Sequence, residues 1–161
     1  MSYNKWPKRS AEKNYPVSED LEATISSTRL TVYGPVSPSS GGNEAGLSIY
    51  AALPDFSVLV TGDLSSDSET ELLRNQSVPH ADLLVAGHHG SKYSTSALLL
   101  RKIAPKAVVI SVGENSYGHP AGETLSRIQA AGAKIFRTDQ MGTIRCIGTE
   151  DGIRVECSGT D

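Results

Sequence analysis

The chain has 161 residues, a length typical of one domain, and 38% of them are hydrophobic. Its 15 basic and 18 acidic side chains give a net charge of −3, without the basic surplus of a domain that holds nucleic acid by its phosphates alone. No apolar run reaches the ~18–20 residues that span a bilayer, and segment 1–13 lacks the apolar core of a secretory signal. We therefore expect the chain as given to be soluble.

The predicted elements follow a polar stretch. Residues 1–28 show no periodicity and are interpreted as a polar lead-in or connector, whereas 29–161 contain the predicted strands and helices. Segment 38–43 is a loop by composition. Strands are predicted at Arg29–Tyr33, Leu47–Leu53, Ser57–Thr61, Leu83–Ala86, Ala107–Val112, Lys134–Arg137, Thr143–Ile147 and Ile153–Cys157. Helices are predicted at Ser66–Gln76, Thr95–Ile103 and Glu123–Ala131.

The middle of the chain alternates strands and helices, which predicts an α/β layer sandwich that contains a mixed sheet. The two cysteines, Cys146 and Cys157, lie in the last pair of predicted strands. They could pair across neighbouring strands in an oxidising compartment, or remain two buried thiols. No Cys-x-x-Cys spacing is present, which argues against a thiolate zinc site.

Polar residues follow three of the predicted strands at their carboxyl ends. Asp63 follows the first, His88 and His89 follow the second within Gly87–Ser91, and His119 lies shortly after the third. If these strands run parallel, their tips share one edge of the sheet, where α/β proteins bind ligands. We therefore expect a carboxylate and at least two imidazoles to converge there.

Each of these residues has a structural alternative. Asp63 could cap the following helix, His119 before Pro120 could be a turn residue, and His80 in its loop is interpreted as solvated. Two adjacent histidines on an extended strand point in opposite directions, so only one of His88 and His89 is expected to be a ligand. The glycines that flank this histidine pair allow close backbone approach, which favours a functional segment.

Imidazole nitrogen and carboxylate oxygen are ligands that Zn²⁺ and Mn²⁺ accept. A carboxylate can bridge two ions, and two ions can stabilise the attacking and leaving oxygens in phosphodiester cleavage. One Asp and one or two His do not fill two such sites, so the number of ligands in this sequence falls short.

The motifs together resemble the metallo-β-lactamase-like domain of the ComEC competence family and its stand-alone relatives. The resemblance covers residues 29–148 in order and centres on Gly-His-His-Gly-Ser at 87–91. The other matching segments are 61–63 (Thr-Gly-Asp), 81–86, 107–115, 117–120 (Tyr-Gly-His-Pro), and 136–139 with Gly142.

This resemblance implies the second half of an αββα sandwich, with a mixed sheet and helices on its outer face. It also implies a metal-dependent hydrolase of phosphodiester bonds with two Zn²⁺ or Mn²⁺ ions, which degrades a single DNA strand beside a membrane channel. Asp63 would be the metal-bridging carboxylate, and His88 or His89 the late histidine ligand. Ser91, Asn115 and His119 would line the substrate pocket, with His119 contacting phosphate or donating a proton.

The family's His-x-His-x-Asp-His motif, which supplies most of the metal ligands, does not occur in this sequence. Either the sequence begins midway through the domain or the site is degenerate, and we expect this chain alone to bind metal weakly or not at all and to be nearly inactive. A sandwich half would expose an apolar face, so we expect self-association or marginal stability unless its other half is supplied.

Three functions follow from these alternatives: a DNA-degrading part of a ComEC-like uptake protein on the outer face of the cytoplasmic membrane, a stand-alone hydrolase of a small phosphodiester, and a catalytically degenerate binding or structural module.

Overall fold

A seven-stranded mixed sheet forms the main layer of the protein. The structure, a computed structural model, describes residues 20–35 and 46–159. The strands follow the order of the chain across the sheet: β1 (Leu21–Ile25), β2 (Thr28–Tyr33), β3 (Ser48–Ala52), β4 (Ser57–Val60), β5 (Leu83–Val85), β6 (Ala107–Ile110) and β7 (Lys134–Arg137). Strands β1 to β4 pair antiparallel, whereas β4 to β7 pair parallel. The predicted mixed sheet is present, and its assignment to an αββα sandwich stays a prediction.

Helices connect the parallel strands. They are α1 (Ser66–Asn75), α2 (Ala97–Ile103) and α3 (Gly122–Ala130), whereas the short α4 (Thr138–Met141) follows β7, the last of these strands. Ser65 caps α1 by accepting the amide hydrogen of Ser68 at 3.3 Å, and Ser96 caps α2 through Leu99 at 3.2 Å. The capping role considered for Asp63 therefore belongs to Ser65. No helix in the described ranges is long and apolar enough to cross a membrane.

The hydrophobic core lies between the sheet and the helices. Leu59, Leu84 and Val108, on three adjacent strands, are fully buried. They belong to one core cluster with helix residues Leu72, Leu99, Leu100, Ile103 and Ile128. Burying such a side chain contributes about 1.5–3 kcal/mol relative to leaving it exposed, so this layer holds the strand tips in place.

The opposite face of the sheet has a continuous apolar row, because directly paired residues lie on the same face of a sheet. The row crosses all seven strands: Leu21, Val32, Ile49, Val60, Val85, Val109 and Phe136. Leu21 is 53% exposed and Ile49 is 41% exposed. The row alternates in sequence with the core residues of β4, β5 and β6, so it faces away from the core.

A separate two-stranded sheet closes the described chain, formed by β8 (Ile144–Thr149) and β9 (Gly152–Cys157). This is the predicted final hairpin. Cys146 pairs with Val155 and Cys157 with Ile144, so the two cysteines are not cross-strand partners, and both thiols are free. Because Cys157 is exposed, the alternative of two buried thiols is also wrong.

The sequence predicts no strand before Arg29, whereas the structure has β1 at Leu21–Ile25, paired antiparallel with Thr28–Val32 of β2. Leu21, Ala23 and Ile25 alternate with polar residues, which is a short strand signal. All five residues of β1 are nevertheless exposed, so this strand does not contribute a buried face to the core. Residues 1–19 and the predicted loop at 38–43 lie outside the described residues.

Candidate functional site

The tips of β4, β5 and β6 meet at one edge of the sheet. Val60, Val85 and Val109 are direct partners, so the residues that follow each strand leave the sheet side by side. The amide of His88 donates to the carbonyl of Gly62 at 3.0 Å, which joins the segment of the histidine pair to the residue before Asp63. The predicted convergence of these tips is confirmed, whereas the chemical roles of the residues stay predictions.

Gly87–Gly90 forms a tight turn, here called the histidine turn. His88 has φ +48° and His89 has φ +54°, in the left-handed region that residues with a side chain rarely adopt. A Cβ at Gly87 would lie 3.1 Å from the side chains of both Thr61 and Ser94, so the backbone passes close to its neighbours there. Each left-handed residue costs about 1–3 kcal/mol, and such conformations cluster at functional sites.

Three imidazoles gather at this edge. The ring centroid of His88 lies 6.4 Å from that of His89 and 5.8 Å from that of His119. Burial, followed by the proximity of His88 and His89, lowers the pKa of His119 below its usual range. Its Nδ1 is buried and has no hydrogen-bond partner within the described part of the chain. The neutral form of His119 is therefore favoured.

The hydrogen bond of His89 identifies its tautomer. Its Nδ1 lies 2.7 Å from the carbonyl oxygen of Ser111, and because a carbonyl only accepts, Nδ1 must hold the hydrogen. In the neutral ring, Nε2 then has the lone pair. Metal-binding histidines commonly show this arrangement, with the second ring nitrogen donating to a backbone carbonyl. The environment of His89 is therefore suitable for a metal ligand.

A cavity of about 200 Å³ adjoins the imidazoles. Its lining residues come from the histidine turn and from the segment after β6: His89, Val112, Gly113, Glu114, Asn115, Tyr117 and His119. Tyr117 is 83% exposed and stacks on His119, with ring centroids 6.1 Å apart and an angle of 26° between the planes. The cavity therefore has an aromatic wall that is open to solvent.

Asn115 folds its own loop. Its Nδ2 donates to the carbonyls of Gly113 at 2.9 Å and His119 at 2.8 Å. Its Oδ1 accepts from the amides of Tyr117 and His119, both at 3.1 Å. Since the amide already makes four hydrogen bonds, Asn115 shapes the cavity rather than offering free donors to a substrate.

The remaining predicted residues lie as follows. Ser91 is 4% exposed, is not among the residues that line the cavity, and accepts from the Tyr93 amide at 3.3 Å. This burial is consistent with a structural role, and the predicted contact of Ser91 with substrate stays a prediction. Asp63 is exposed at the tip of β4, and His80 is exposed in its loop, where its carbonyl accepts from the Tyr50 hydroxyl at 3.1 Å.

The donors suit a borderline divalent ion in type but not in number. Asp63 and His89 offer a carboxylate and an imidazole, the ligands of Zn²⁺ and Mn²⁺ sites. Among residues 20–35 and 46–159, no three His, Cys, Asp or Glu side chains are arranged to hold a metal ion. These residues alone do not fit a complete metal centre.

Glu69 and Arg127 also belong to the site region, because both form hydrogen bonds with Thr95 in the segment that follows the histidine turn. The sequence analysis predicts a role for neither residue. Glu69 is 0% exposed, although it lies in the first turn of α1, where the helix dipole also stabilises an acid that is exposed to solvent. No feature of the sequence signals that burial, because Glu69 contacts residues 26 and 27 positions away.

Comparison with known proteins relates the chain to competence proteins. No family model matches it. It is 34% identical over 123 residues to ComE operon protein 3 of Bacillus subtilis (strain 168), an alignment that covers 75% of this chain and 16% of that protein. It is 38% identical over 90 residues to competence protein ComA of Neisseria gonorrhoeae, covering 55% of this chain and 13% of that protein.

Recombination protein 2 of Haemophilus influenzae is 30% identical over 105 residues, which cover 65% of this chain and 13% of that protein. The chain therefore spans about a sixth or less of the length of these relatives. The similarity supports a relationship to competence proteins.

Proposed function

We propose that the chain is part of a metal-dependent phosphodiester hydrolase that acts on single-stranded DNA during DNA uptake. The main support is the convergence of Asp63, the histidine turn and His119 at one edge of the parallel strands. The similarity to competence proteins supports the role in DNA uptake. In this proposal the chain acts as part of a longer protein that also contains a membrane channel.

Asp63 and His89 are the metal-facing residues in this proposal. Asp63 is exposed at the tip of β4, and His89 has its Nδ1 hydrogen bonded to the Ser111 carbonyl, which leaves Nε2 as the ligand atom. A bound ion would supply an activated water and would stabilise charge on the phosphodiester oxygens. In this proposal His119, which lines the cavity, contacts a phosphate oxygen of the substrate.

The remaining metal donors must come from outside the described residues, since these do not form a complete metal-binding group. The apolar row on the second face of the sheet supports the same proposal, because it offers a surface for a further layer of structure. We therefore propose that the chain acts with a preceding half of the domain, and that it is nearly inactive alone.

The test is hydrolysis of end-labelled single-stranded DNA with Mn²⁺ or Zn²⁺, comparing this chain with the longest in-frame gene product that contains it. We expect metal-dependent cleavage by the longer protein only, and its loss in Asp63→Ala. Asp151→Ala, which changes an exposed acid in the β8–β9 turn, is the matched control and should cleave normally. Undiminished cleavage by Asp63→Ala would contradict the proposal.

A further inference from the structure

A buried carboxylate accepts hydrogen bonds from the segment after the histidine turn, residues 91–96. Glu69 on α1 is 0% exposed. Its Oε1 accepts from the Thr95 amide at 2.6 Å and its Oε2 from the Ser96 amide at 2.7 Å. Burial raises the pKa of Glu69, while these hydrogen bonds and the charge of Arg127 oppose that rise. Because both oxygens accept, the arrangement suits the carboxylate form.

A guanidinium from another helix donates hydrogen bonds to the backbone carbonyls of the same segment. Arg127 on α3 donates through one terminal nitrogen to the carbonyls of Lys92 at 3.0 Å and Ser94 at 2.8 Å. Its Nε donates to the Thr95 carbonyl at 3.2 Å. Glu69 therefore accepts hydrogen bonds from the backbone amides of this segment, and Arg127 donates hydrogen bonds to its carbonyls. The several N–H donors of the planar guanidinium suit arginine to this role.

Two further hydrogen bonds connect residues 91–96 to the histidine turn. The Thr95 hydroxyl accepts from the Gly87 amide at 3.1 Å, and the Ser91 amide donates to the His88 carbonyl at 3.0 Å. Thr95 itself has φ +55°, so its conformation depends on the partners that hold its amide and carbonyl. A shift of Thr95 would thus release the first residue of the turn.

We propose that Glu69 and Arg127 are positioning residues that hold the histidine turn through residues 91–96. Neither side chain lines the cavity beside the imidazoles. Ser96 already caps α2 with its own side chain, so a second buried acceptor at this helix start is not needed for capping alone. The importance of this pair for catalysis rests on the proposed function, whereas its effect on the shape of the turn does not.

The test is nuclear magnetic resonance of this chain, with the ring-to-ring cross-peak between His88 and His119 as the readout. In Glu69→Gln, the NH2 group replaces one carboxylate oxygen and cannot accept a hydrogen bond from a backbone amide. We expect this variant to lose the cross-peak while the circular dichroism of the helices is retained. Glu71→Gln, an exposed acid on the same helix, is the control and should keep the cross-peak. A folded Glu69→Gln with the wild-type cross-peak would overturn the proposal.

Arg127→Lys retains the charge but not the fork, and it should lose the same cross-peak, whereas Arg101→Lys on α2 should not. Should these variants fail to fold, hydrogen exchange of the unmodified chain decides: the Gly87 amide must be protected together with the Thr95 amide. Rapid exchange at Gly87 beside a protected Thr95 would overturn the proposal. None of these readouts needs metal or cleavage, so they remain valid if the proposed hydrolase activity is absent.

Discussion

Gly90 lies directly against Pro120. A Cβ built on Gly90 would stand 2.6 Å from the Cβ of Pro120 and 3.1 Å from its Cα. The Gly90 carbonyl also accepts from the Ala121 amide at 2.9 Å. This contact joins the end of the histidine turn to the residue after His119, and it explains how two segments that are 30 positions apart bring their imidazoles together.

Gly90→Ala should destabilise the protein and separate these segments. Alanine would have to adopt φ +81° and displace Pro120, which together should lower the free energy of unfolding by about 2–4 kcal/mol. Urea denaturation measures this loss. Gly132→Ala is the matched control, because Gly132 has φ +78° with no atom near its added Cβ, and it should lose only about 1 kcal/mol. Equal losses in the two variants would contradict a role for the Pro120 contact.

Asn115→Ala should loosen the loop that holds His119. The substitution removes all four hydrogen bonds of the side chain amide, two of which go to the backbone of His119. We expect faster hydrogen exchange at the amides of Tyr117 and His119, with little change in global stability because the loop is exposed. Unchanged exchange at both amides would show that the loop keeps its shape without Asn115.

Asp82→Asn should weaken the junction between β4 and β5. Asp82 accepts from the amide of Ser57 at 3.0 Å and from its hydroxyl at 2.8 Å, and it pairs with Lys106 at 2.9 Å. The pKa of Asp82 is lowered, because the bonds from Lys106 and Ser57 outweigh the opposing effect of burial. Lys106 is 67% exposed, so the serine bonds should account for most of an effect of about 1–2 kcal/mol near pH 7.

A lowered pKa means that this stabilisation is present above the unfolded-state pKa of about 3.9 and disappears as the pH falls through the lower folded-state value. The difference in unfolding free energy between the wild type and Asp82→Asn should therefore shrink with acidification. Denaturant titrations at several pH values measure it, with Asp151→Asn as an exposed control. A difference that grows as the pH falls would contradict this assignment.

The order of strands and helices could be predicted from the sequence where burial is strong. The uninterrupted apolar stretch of β6 and the helical spacing of Leu99 and Ile103 both reflect a core layer that the sequence displays directly. The shared edge of Asp63 and the histidine turn follows from the parallel pairing that helical crossovers impose. These features depend on local pattern and on general rules of topology.

Other features depend on distant partners and could not be predicted. The burial of Glu69 and Ser91 and the hydrogen bonds of Asn115 to its own loop depend on side-chain directions, which hydrophobic pattern does not report. The tautomer of His89 depends on Ser111, 22 positions away. Strand β1 was missed because it lies at the exposed edge of the sheet, where no buried side marks it.

Ile49→Lys should reduce self-association of this chain. Ile49 is in the middle of the apolar row and is 41% exposed, so a second copy could cover it. Leu98→Lys is the matched control, since Leu98 is 40% exposed but lies on α2. Sedimentation across a range of concentrations should show association in the wild type and in Leu98→Lys, and less in Ile49→Lys. A wild type that stays monomeric at all concentrations would contradict this prediction.

Calorimetric titration with Zn²⁺ tests most directly whether Asp63 and the histidine turn form part of a metal site. We expect this chain alone to bind Zn²⁺ weakly, and the longest in-frame gene product to bind two ions, with binding lost or strongly weakened in its Asp63→Ala variant. Tight binding of two ions by this chain alone, or unchanged binding after Asp63→Ala in the longer protein, would contradict the account.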